Sequence, residues 1–360
     1  MIHFPASITT ERLTIRPWRH TDADPLWDAV NESIERLSVY MPWTVHYTSR
    51  SAATQFIADA IKRAPAGYEL PLAMVERATG RILGGTGFHS TEPTADGWRT
   101  LEIGYWLRGS AQGNGYMREA VRAQLRLALE LGVERVQLLC DARNRPSWRV
   151  AETCGFRREA VLRRDTRDHH GTLRDTRMYG LIPSELRELC DGWIEEPYEL
   201  DWADPPFERP SAPAHQDVTD GDKPELPVVL TELVRLDPVN LLEPGLQFTV
   251  VDRGANRHLG LATLLPRKAD VPSFGLKWSF GTPDEPIEFG IEVGLALLKI
   301  AFEELDAERV EMRVPVDATL TREVAEILGF VNEGVLRAHK SPIDGVIGDF
   351  VIYSVIKDDL

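Results

Sequence analysis

The sequence predicts an α/β (α+β) fold in which a mixed, mostly antiparallel, twisted sheet is flanked by helices, in two tandem copies. Strand-like segments alternate with amphipathic helical segments and are separated by glycine and proline turns. Residues 130–186 also match residues 304–360 at about a third of their positions, with a constant offset of 174 and no gap. At 360 residues the chain exceeds one typical domain, and duplication is the economical explanation.

Charge and composition divide the chain into three parts. Residues 1–183 carry a net charge of +4 and form the first predicted domain. Residues 184–222 contain five prolines and a net charge of −10, which predicts an acidic, proline-rich linker, apart from a possible short helical continuation near residues 186–190. Residues 223–360, with a net charge of −9, are the second copy. Only the first part suits a polyanionic ligand.

Several classes of protein are excluded by composition. No run of eighteen apolar residues exists, and the first five residues lack the segments of a signal peptide, so we expect a cytoplasmic protein without membrane contact. The three cysteines lack paired spacing, and we expect no metal site. An acidic chain without a contiguous basic patch argues against nucleic-acid binding.

The elements of the first copy follow from local patterns. Residues 7–17 alternate like one strand, residues 21–24 can cap a first helix, and residues 49–63 read as a second helix. The aromatic loop at residues 31–47, between the two helices, either forms one wall of a ligand pocket or packs its aromatic side chains into the core. The remaining predicted elements are a hairpin (residues 70–76 and 81–89), a strand (101–107), a long helix (117–131), a strand (133–140), a short helix (145–153) and a strand pair (161–166 and 172–181).

The stretch at 112–117 (QGNGYM) joins a predicted strand to the long helix. Glycines at such a turn remove the β-carbons, so that backbone amides and the positive helix end can meet a diphosphate. A nucleoside-triphosphate loop is excluded because no lysine followed by Ser or Thr comes after Gly115, and a dinucleotide fingerprint because the third glycine is missing. A tight turn that only caps the helix is the alternative interpretation.

Six stretches, in this order, resemble the GNAT superfamily of N-acetyltransferases, and within it the Rim-type ribosomal-protein branch. They are residues 10–17 (TERLTIRP), 41–43 (MPW), 102–107 (EIGYWL), 112–116 (QGNGY), 144–151 (NRPSWRVA) and 155–156 (GF). The resemblance covers residues 8–182. Met117 departs from the superfamily loop (Gln/Arg)-x-x-Gly-x-(Gly/Ala) at its last position.

The resemblance implies direct transfer of an acetyl group from acetyl-CoA, the co-substrate, to a primary amine on a protein N-terminus or a small molecule. No metal takes part. It implies that the backbone of residues 103–105 pairs with the pantetheine arm. The residues that it assigns to the cofactor are Ile103, Gly104, Tyr105, Gln112, Gly113, Asn114, Gly115, Tyr116, Met117 and Asn144.

Two catalytic residues are implied. Glu102 would remove the amine proton through water, or be an acid that only shapes the site. Ser147 would protonate the departing thiolate of CoA, although Asn144 and Ser147 before a helix are also ordinary caps. A second acid proposed in the branch falls on Thr166, which cannot titrate, so that role is not carried over.

The second copy is expected to be degenerate, truncated and structural. The predicted hairpin at residues 70–89 matches its copy at an offset of 176 instead of 174. With these two offsets, the phosphate turn falls within residues 286–291 and Glu102 matches Leu276 or Trp278, while the offset of 174 matches Asn144 to Ala318. Rim-type enzymes often dimerise, so the two halves would pack as an intramolecular pseudo-dimer. Met117, Thr166 and this degenerate copy also support another function, a non-catalytic acyl-CoA-binding sensor or scaffold.

Overall fold

The computed structural model describes residues 4–64, 69–90, 100–202, 228–239, 245–267, 271–279, 286–340 and 347–359. The chain forms two compact units. Unit 1 comprises Met1–Glu159, Asp168–Thr172 and Arg177–His215. Unit 2 comprises Ala160–Arg167, Leu173–Thr176 and Gln216–Leu360. The predicted class, a mixed and mostly antiparallel sheet with helices, is confirmed.

The strands of the first half are β1 (Ser7–Thr10), β2 (Leu13–Pro17), β3 (Glu69–Glu76), β4 (Ile82–Ser90), β5 (Thr100–Leu107), β6 (Arg135–Asp141), β7 (Arg157–Arg167), β8 (Leu173–Leu181) and β9 (Tyr198–Asp201). The helices are α1 (Ala23–Asn31), α2 (Ile34–Leu37), α3 (Arg50–Arg63), α4 (Tyr116–Glu130), α5 (Arg145–Thr153) and α6 (Pro183–Asp191). Neighbouring strands pair antiparallel in the order β9, β1, β2, β3, β4 and β5. β5 then pairs parallel with β6.

Two apolar clusters cover the two faces of this sheet. Phe88, Leu101 and Ile103 pack with the apolar side of α4. Residues on the opposite face, among them Trp106, pack against α1 and α3. Because side chains alternate along a strand, each residue of β5 belongs to one of these faces, and Glu102 lies on the side of Trp106.

The segment predicted as one strand over residues 7–17 is two strands, so that prediction is wrong. The Leu13 amide donates to Thr10 Oγ1 at 3.1 Å, and the Thr10 hydroxyl donates to the Leu13 carbonyl at 3.3 Å, which closes a turn between β1 and β2. Glu119 on α4 accepts hydrogen bonds from the Arg12 amide and the Thr10 hydroxyl. Alternation in the sequence could not reveal the break, because a carboxylate 107 residues away stabilises it.

The predicted linker also begins too early. α6 follows directly on β8 and buries Leu186 and Cys190 in the core of unit 1, together with Trp193. β9 pairs antiparallel with β1. The sequence predicts only a possible short helical continuation near residues 186–190, and the acidic composition favours a linker over a helix whose apolar residues recur at a spacing of four. The rest of the predicted linker, residues 203–222, lies outside the described residues.

The second half contains β10 (Val229–Leu230), β11 (Val234–Val239), β12 (Leu246–Asp252), β13 (Arg257–Pro266), β14 (Ser273–Ser279), β15 (Arg309–Pro315), β16 (Val331–Lys340) and β17 (Ile347–Ile356). Its helices are α7 (Ile287–Lys299), which continues as a π-helical turn over Ile300–Glu304, and α8 (Thr319–Ile327). β14 and β15 are parallel. Six residues join β11 to β12, whereas in unit 1 the helices α1, α2 and α3 lie between the corresponding strands β2 and β3. The copy is therefore shorter on that side.

Several contacts recur in the two halves. The Tyr179 hydroxyl donates to Glu152 at 3.1 Å, and the Tyr353 hydroxyl donates to Glu326 at 2.9 Å. These pairs lie 174 residues apart, which is the offset read from the sequence.

The first hairpin recurs as well, although sequence comparison missed it. The Thr231 hydroxyl exchanges hydrogen bonds with the backbone of Val234, as Thr10 does with Leu13. Glu292 of α7 accepts hydrogen bonds from the Thr231 hydroxyl and the Leu233 amide, and so corresponds to Glu119 in unit 1. The two turns share only the residues Thr-Glu at their start, a signal too short to align.

Strand register corrects two predicted equivalences. Glu102 opposes Gln137 in β6, and Gly275 opposes Glu311 at the same step of β14 and β15, so neither Leu276 nor Trp278 holds the position of Glu102. Pro286 is the N-cap of α7, so residues 287–291 lie within the helix and do not correspond to the turn before α4. The predicted match to residues 286–291 is therefore wrong, and residues 280–285 lie outside the described residues.

The packing of α6 on unit 1 can be tested with two glycines. Gly155 (φ 86°) and Gly329 (φ 82°) end equivalent helices, but a β-carbon at Gly155 meets Leu189 of α6 at 2.5 Å, whereas nothing lies within 4 Å at Gly329. Both alanine variants should lose about 1–2 kcal/mol of unfolding free energy from the left-handed backbone. Gly155→Ala should lose about 1 kcal/mol more from overpacking.

Peptide-resolved hydrogen exchange of each unit measures these losses. The additional loss of unfolding free energy in Gly155→Ala should disappear when Leu189 is also replaced by alanine. Equal losses at the two glycines would contradict the assignment of α6 to unit 1.

Candidate functional site

The turn before α4 is held open by two glycines. Gly113 and Gly115 both have φ of 79°, and Gly115 is the N-cap of the helix. A β-carbon at Gly113 would meet nothing within 4 Å, so open space lies over the backbone there. The first amides of a helix have no partner within it, and the helix dipole makes this end positive. The turn therefore offers backbone donors to an anion.

The side chains of three residues predicted to lie at the cofactor make contacts within the protein. Asn114 Nδ2 donates to the carbonyls of Ala111 and Gln112, at 3.3 and 3.1 Å. Gln112 accepts a long hydrogen bond, 3.4 Å, from Arg36. Met117 is buried in the core, which leaves its backbone as the part near the open side. The main-chain groups of these three residues are therefore the ones that we expect a ligand to contact.

Tyr116 occupies a polar position beside the same turn. Its hydroxyl donates to Glu76 Oε1 at 2.6 Å, and the guanidinium of Arg12 lies 4.5 Å from the centre of its ring. Hydrogen bonding to Glu76 raises the pKa of the Tyr116 phenol. The phenol thus stays neutral next to the anion-binding end of α4.

A basic cavity of about 170 Å³ opens beside Gly115 along α4. Arg118, Arg122 and Arg126 lie on it at a spacing of four residues. Glu196 pairs with Arg122, and the rings of Trp193 and Tyr198 stack on Arg122 and Arg126. Arg12 also lines the cavity, and Arg12 and Arg118 both lie next to the turn, 3.6 and 3.8 Å from the position of a β-carbon at Gly115.

The parallel strands β5 and β6 separate well before β5 reaches this turn. Their parallel ladder joins Thr100 to Arg135, Leu101 to Val136 and Glu102 to Gln137, and no further pair is formed among the described residues. From Ile103 onwards β5 is paired on its other side with β4. The backbone of Ile103, Gly104 and Tyr105 therefore borders a gap into which an extended ligand can fit and add main-chain hydrogen bonds.

Glu102 lies at the base of this gap, on the face of α1 and α3. It is half-buried, and Gln137 Nε2 donates to its Oε2 at 3.2 Å. At about 3.3 Å per residue, the end of β5 lies about 17 Å further along the strand. The carboxylate and the glycine turn therefore mark opposite ends of the gap.

Ser147 lies on the opposite face, against Tyr105. Asn144 Oδ1 accepts from the Ser147 amide at 3.3 Å, so the expected helix cap is present. The Tyr105 hydroxyl donates to the Ser147 carbonyl at 2.9 Å, and the Ser147 hydroxyl lies 3.4 Å from the Tyr105 hydroxyl. Burial raises the pKa of Tyr105 well above its usual range, and raises the pKa of the neighbouring Cys140 to about 11. This cluster keeps its protons at neutral pH.

The hydroxyl of Tyr105 is a functional group that sequence reasoning missed, because Tyr105 was chosen only for its backbone. Strand alternation could have found it, since it places Tyr105 on the face of α5 and opposite to Glu102. Thr166 lies in unit 2, in the part of β7 that is assigned there.

Among the described residues, no helix is both long and apolar enough to span a lipid bilayer. Within the same ranges, no group of three or more His, Cys, Asp or Glu side chains is placed to hold a metal ion.

Comparison with known proteins gives a family for this part of the chain. Residues 12–157 match the family described as acetyltransferase (GNAT) domain. An uncharacterized N-acetyltransferase p20 of Bacillus licheniformis is 27% identical over 180 residues, which cover 50% of this chain and 97% of that protein. Uncharacterized N-acetyltransferase YnaD of Bacillus subtilis (strain 168) is 28% identical over 159 residues, 44% of this chain and 86% of that protein.

Solved structures similar to this chain include Mycobacterium smegmatis RimJ in complex with CoA-disulfide, with a TM-score of 0.48 and 22% identity over 54% of this chain and 97% of that one. A RimL ribosomal L7/L12 alpha-N-protein acetyltransferase in complex with coenzyme A has a TM-score of 0.45 and 23% identity, over 48% of this chain and 95% of that one. The family match covers the glycine turn, the gap and the Ser147 cluster. Residues 12–157 of this chain are a GNAT acetyltransferase domain.

Proposed function

We propose that the chain transfers an acetyl group from acetyl-CoA to a primary amine, at one site in the first half. The observation that carries this proposal is the gap between β5 and β6. It begins at the glycine turn of α4 and has a carboxylate on one face and a hydroxyl pair on the other. Acyl transfer to an amine needs a proton acceptor and a proton donor on opposite sides of the carbonyl carbon.

The cofactor would bind along this gap. Its diphosphate would accept hydrogen bonds from the amides at Gly115 and Tyr116, with Arg118 beside it. Its extended arm would pair with the backbone of residues 103–105, and one of these amides would polarise the thioester carbonyl. Asn144 contributes by holding the start of α5, and with it Ser147, against Tyr105.

The chemistry divides between the two faces. An alkylammonium, with a pKa of about 10, must lose a proton before attack, and Glu102 would take that proton through water. The amine nitrogen would then bond to the carbonyl carbon while the carbon–sulfur bond breaks and the nitrogen gives up its second proton. The departing thiolate would receive a proton or a hydrogen bond from Ser147, whose hydroxyl contacts that of Tyr105, and the proton released by the nitrogen would restore the Ser147 hydroxyl. The acceptor would be a protein N-terminus or a small amine.

Cofactor binding at the turn can be tested with a charge. Gly115→Glu should weaken acetyl-CoA binding at least about tenfold, because a carboxylate and a β-carbon are placed where the diphosphate binds. Gly80→Glu is the control for a glutamate at a glycine of positive φ, since Gly80 has a φ of 71° and nothing within 4 Å of its β-carbon position, but lies in the β3–β4 turn. Isothermal titration measures both. Equal affinity for the Gly115 variant and the wild type would end the proposal.

The proton-donating role can be tested on the hydroxyl pair. Ser147→Ala should lower kcat by about 10² while the affinity for acetyl-CoA is kept, because it removes the proton donor to the thiolate. Tyr105→Phe should lower kcat less, since it removes only the neighbouring hydroxyl. Thiol release across a panel of amines measures the rate. No release with any amine, in a wild type that binds acetyl-CoA, would favour the alternative of a non-catalytic acyl-CoA sensor or scaffold.

We propose that residues 223–360 are a structural copy without a site. Gly275 replaces Glu102 at the matching ladder position, and α8 begins after Ala318, whose side chain gives no cap. Between β14 and β15, Glu311 is paired with Arg267 and Arg309. Burial opposes the charge of Glu311, but these arginines hold its pKa at about 2. A buried ion pair takes the place of an open gap.

The proposed pseudo-dimer is supported by residues of the first half that belong to unit 2. The Arg163 amide donates to Glu333 Oε1 at 2.7 Å, and its carbonyl accepts from Arg309 at 2.8 Å. Its guanidinium binds Asp359 at 2.8 Å. We therefore propose that the first domain needs the second to complete its last strands, and that it extends to residue 202 through α6 and β9.

A fragment of residues 1–183 should consequently be defective. It lacks α6, β9 and every partner of Arg163 named above, so it should expose apolar surface and self-associate, as size-exclusion chromatography with light scattering would show. A fragment of 1–202 is the matched control for the loss of α6 and β9, and should still self-associate. A monomeric 1–183 fragment with full activity would contradict the pseudo-dimer.

A further inference from the structure

A row of polar side chains crosses four strands at the base of the gap. Glu69 of β3 opposes His89 of β4, His89 opposes Glu102 of β5, and Glu102 opposes Gln137 of β6. Directly opposed residues point to the same face of a sheet, about 5 Å from one strand to the next. The sequence gave no reason to connect these residues, which lie between 13 and 35 positions apart along the chain.

The residues at the two ends of the row lie close to their neighbours. His89 Nδ1 lies 3.9 Å from Glu69 Oε1, and at the other end Gln137 donates to Glu102. His89 Nε2 lies over Gly104, 3.0 Å from the position that a β-carbon would take there. One imidazole nitrogen therefore faces Glu69, and the other lies over Gly104 of β5, on the same face of the sheet as Glu102. Glycine at 104 leaves the room for the ring.

We propose that His89, positioned by Glu69, accepts from Glu102 the proton that leaves the attacking amine. This inference rests on the proposed function. The ammonium gives its proton through water to the Glu102 carboxylate, which passes it to neutral His89; the imidazolium formed then releases it to solvent. His89 and Glu69 are both partly exposed, which gives the proton a way out.

This proton relay from Glu102 to His89 would remove a difficulty that a lone carboxylate faces as the proton acceptor. A glutamate with a pKa near 4.3 is a weak acceptor for a proton from a group with a pKa of about 10. An imidazole near neutrality is a far better match to both the amine and the solvent.

The charges around His89 favour this role. The neighbouring Glu69 carboxylate raises its pKa, burial lowers it, the Glu102 charge raises it, and Arg63 on α3 lowers it; the net direction is upward. The pKa of Glu69 is lowered, first by the neighbouring His89, so Glu69 stays a carboxylate. The raised pKa makes the neutral His89 imidazole a stronger proton acceptor than a free imidazole.

Unit 2 has lost the row at the same place. Leu265 opposes Gly275, and Gly275 opposes Glu311, so neither an imidazole nor a carboxylate occupies the positions of His89 and Glu102. The half that we propose to be non-catalytic thus lacks both members of the relay together.

NMR titration of the imidazole signals tests the geometry without any turnover. The nine histidines are resolved by comparison with His89→Gln, which removes one signal. The pKa of His89 should lie above about 6.5 in the wild type and fall in both Glu69→Gln and Glu102→Gln. A His89 pKa that neither substitution changes would overturn the row as a coupled unit.

The pH dependence of kcat/KM tests the relay itself. Activity needs neutral His89, so the rate should rise as pH increases through its pKa, and Glu69→Gln should move this acid limb to lower pH. His89→Ala should lose at least about tenfold in kcat with unchanged acetyl-CoA affinity, and added imidazole should restore part of it. His258→Gln, at an exposed position of β13, is the control and should match the wild type.

The outcomes separate the two proposals. A wild type that acetylates amines while His89→Ala keeps its rate and pH profile overturns the relay alone. Loss of activity that imidazole does not restore, with an unmoved acid limb in Glu69→Gln, also overturns it and leaves His89 a structural residue. A wild type that acetylates no amine overturns the proposed function and the relay together.

Discussion

The parallel ladder between β5 and β6 stops at Glu102 and Gln137, and the placement of the other site groups depends on that separation. A continuous ladder would use the backbone of residues 103–105 for sheet pairing and leave no room for an extended ligand. Because strand side chains alternate, Glu102 lies on one face of the sheet beside this gap and Tyr105 on the other. The open gap thus has a carboxylate on one side and a hydroxyl pair on the other, the arrangement from which we propose the transfer reaction.

The same separation has a different outcome in unit 2. The ladder again ends after three pairs, at Gly275 and Glu311, but Glu311 is bound by Arg267, Arg309 and Arg313. Removing one partner of such a buried network leaves an uncompensated charge, which is strongly destabilising. We interpret this network as a structural replacement for a site, consistent with the short connection between β11 and β12, which leaves out the helices that flank the site in unit 1.

Much of the fold could be predicted because its signals are local. Apolar periodicity located β5 and α4, and the glycines of residues 112–117 located the turn between them. Apart from α6, which acidic composition obscured, the failures were long-range. The break between β1 and β2 depends on Glu119, and the match of Glu102 to Gly275 depends on strand register, which shifts by one residue from the offset found elsewhere. The Tyr105–Ser147 pair and the row through His89 join residues distant in sequence, so no motif could contain them.

The most direct test of the account is hydrogen exchange at the starts of the two equivalent helices, with and without CoA. The free amides of residues 115–117, at the start of α4, should exchange quickly alone and slow markedly when CoA is added, because the diphosphate accepts their hydrogen bonds. The amides of residues 287–289, at the start of α7, should not change. Protection at α7 instead of α4, or at neither helix in the presence of saturating CoA, would contradict the account.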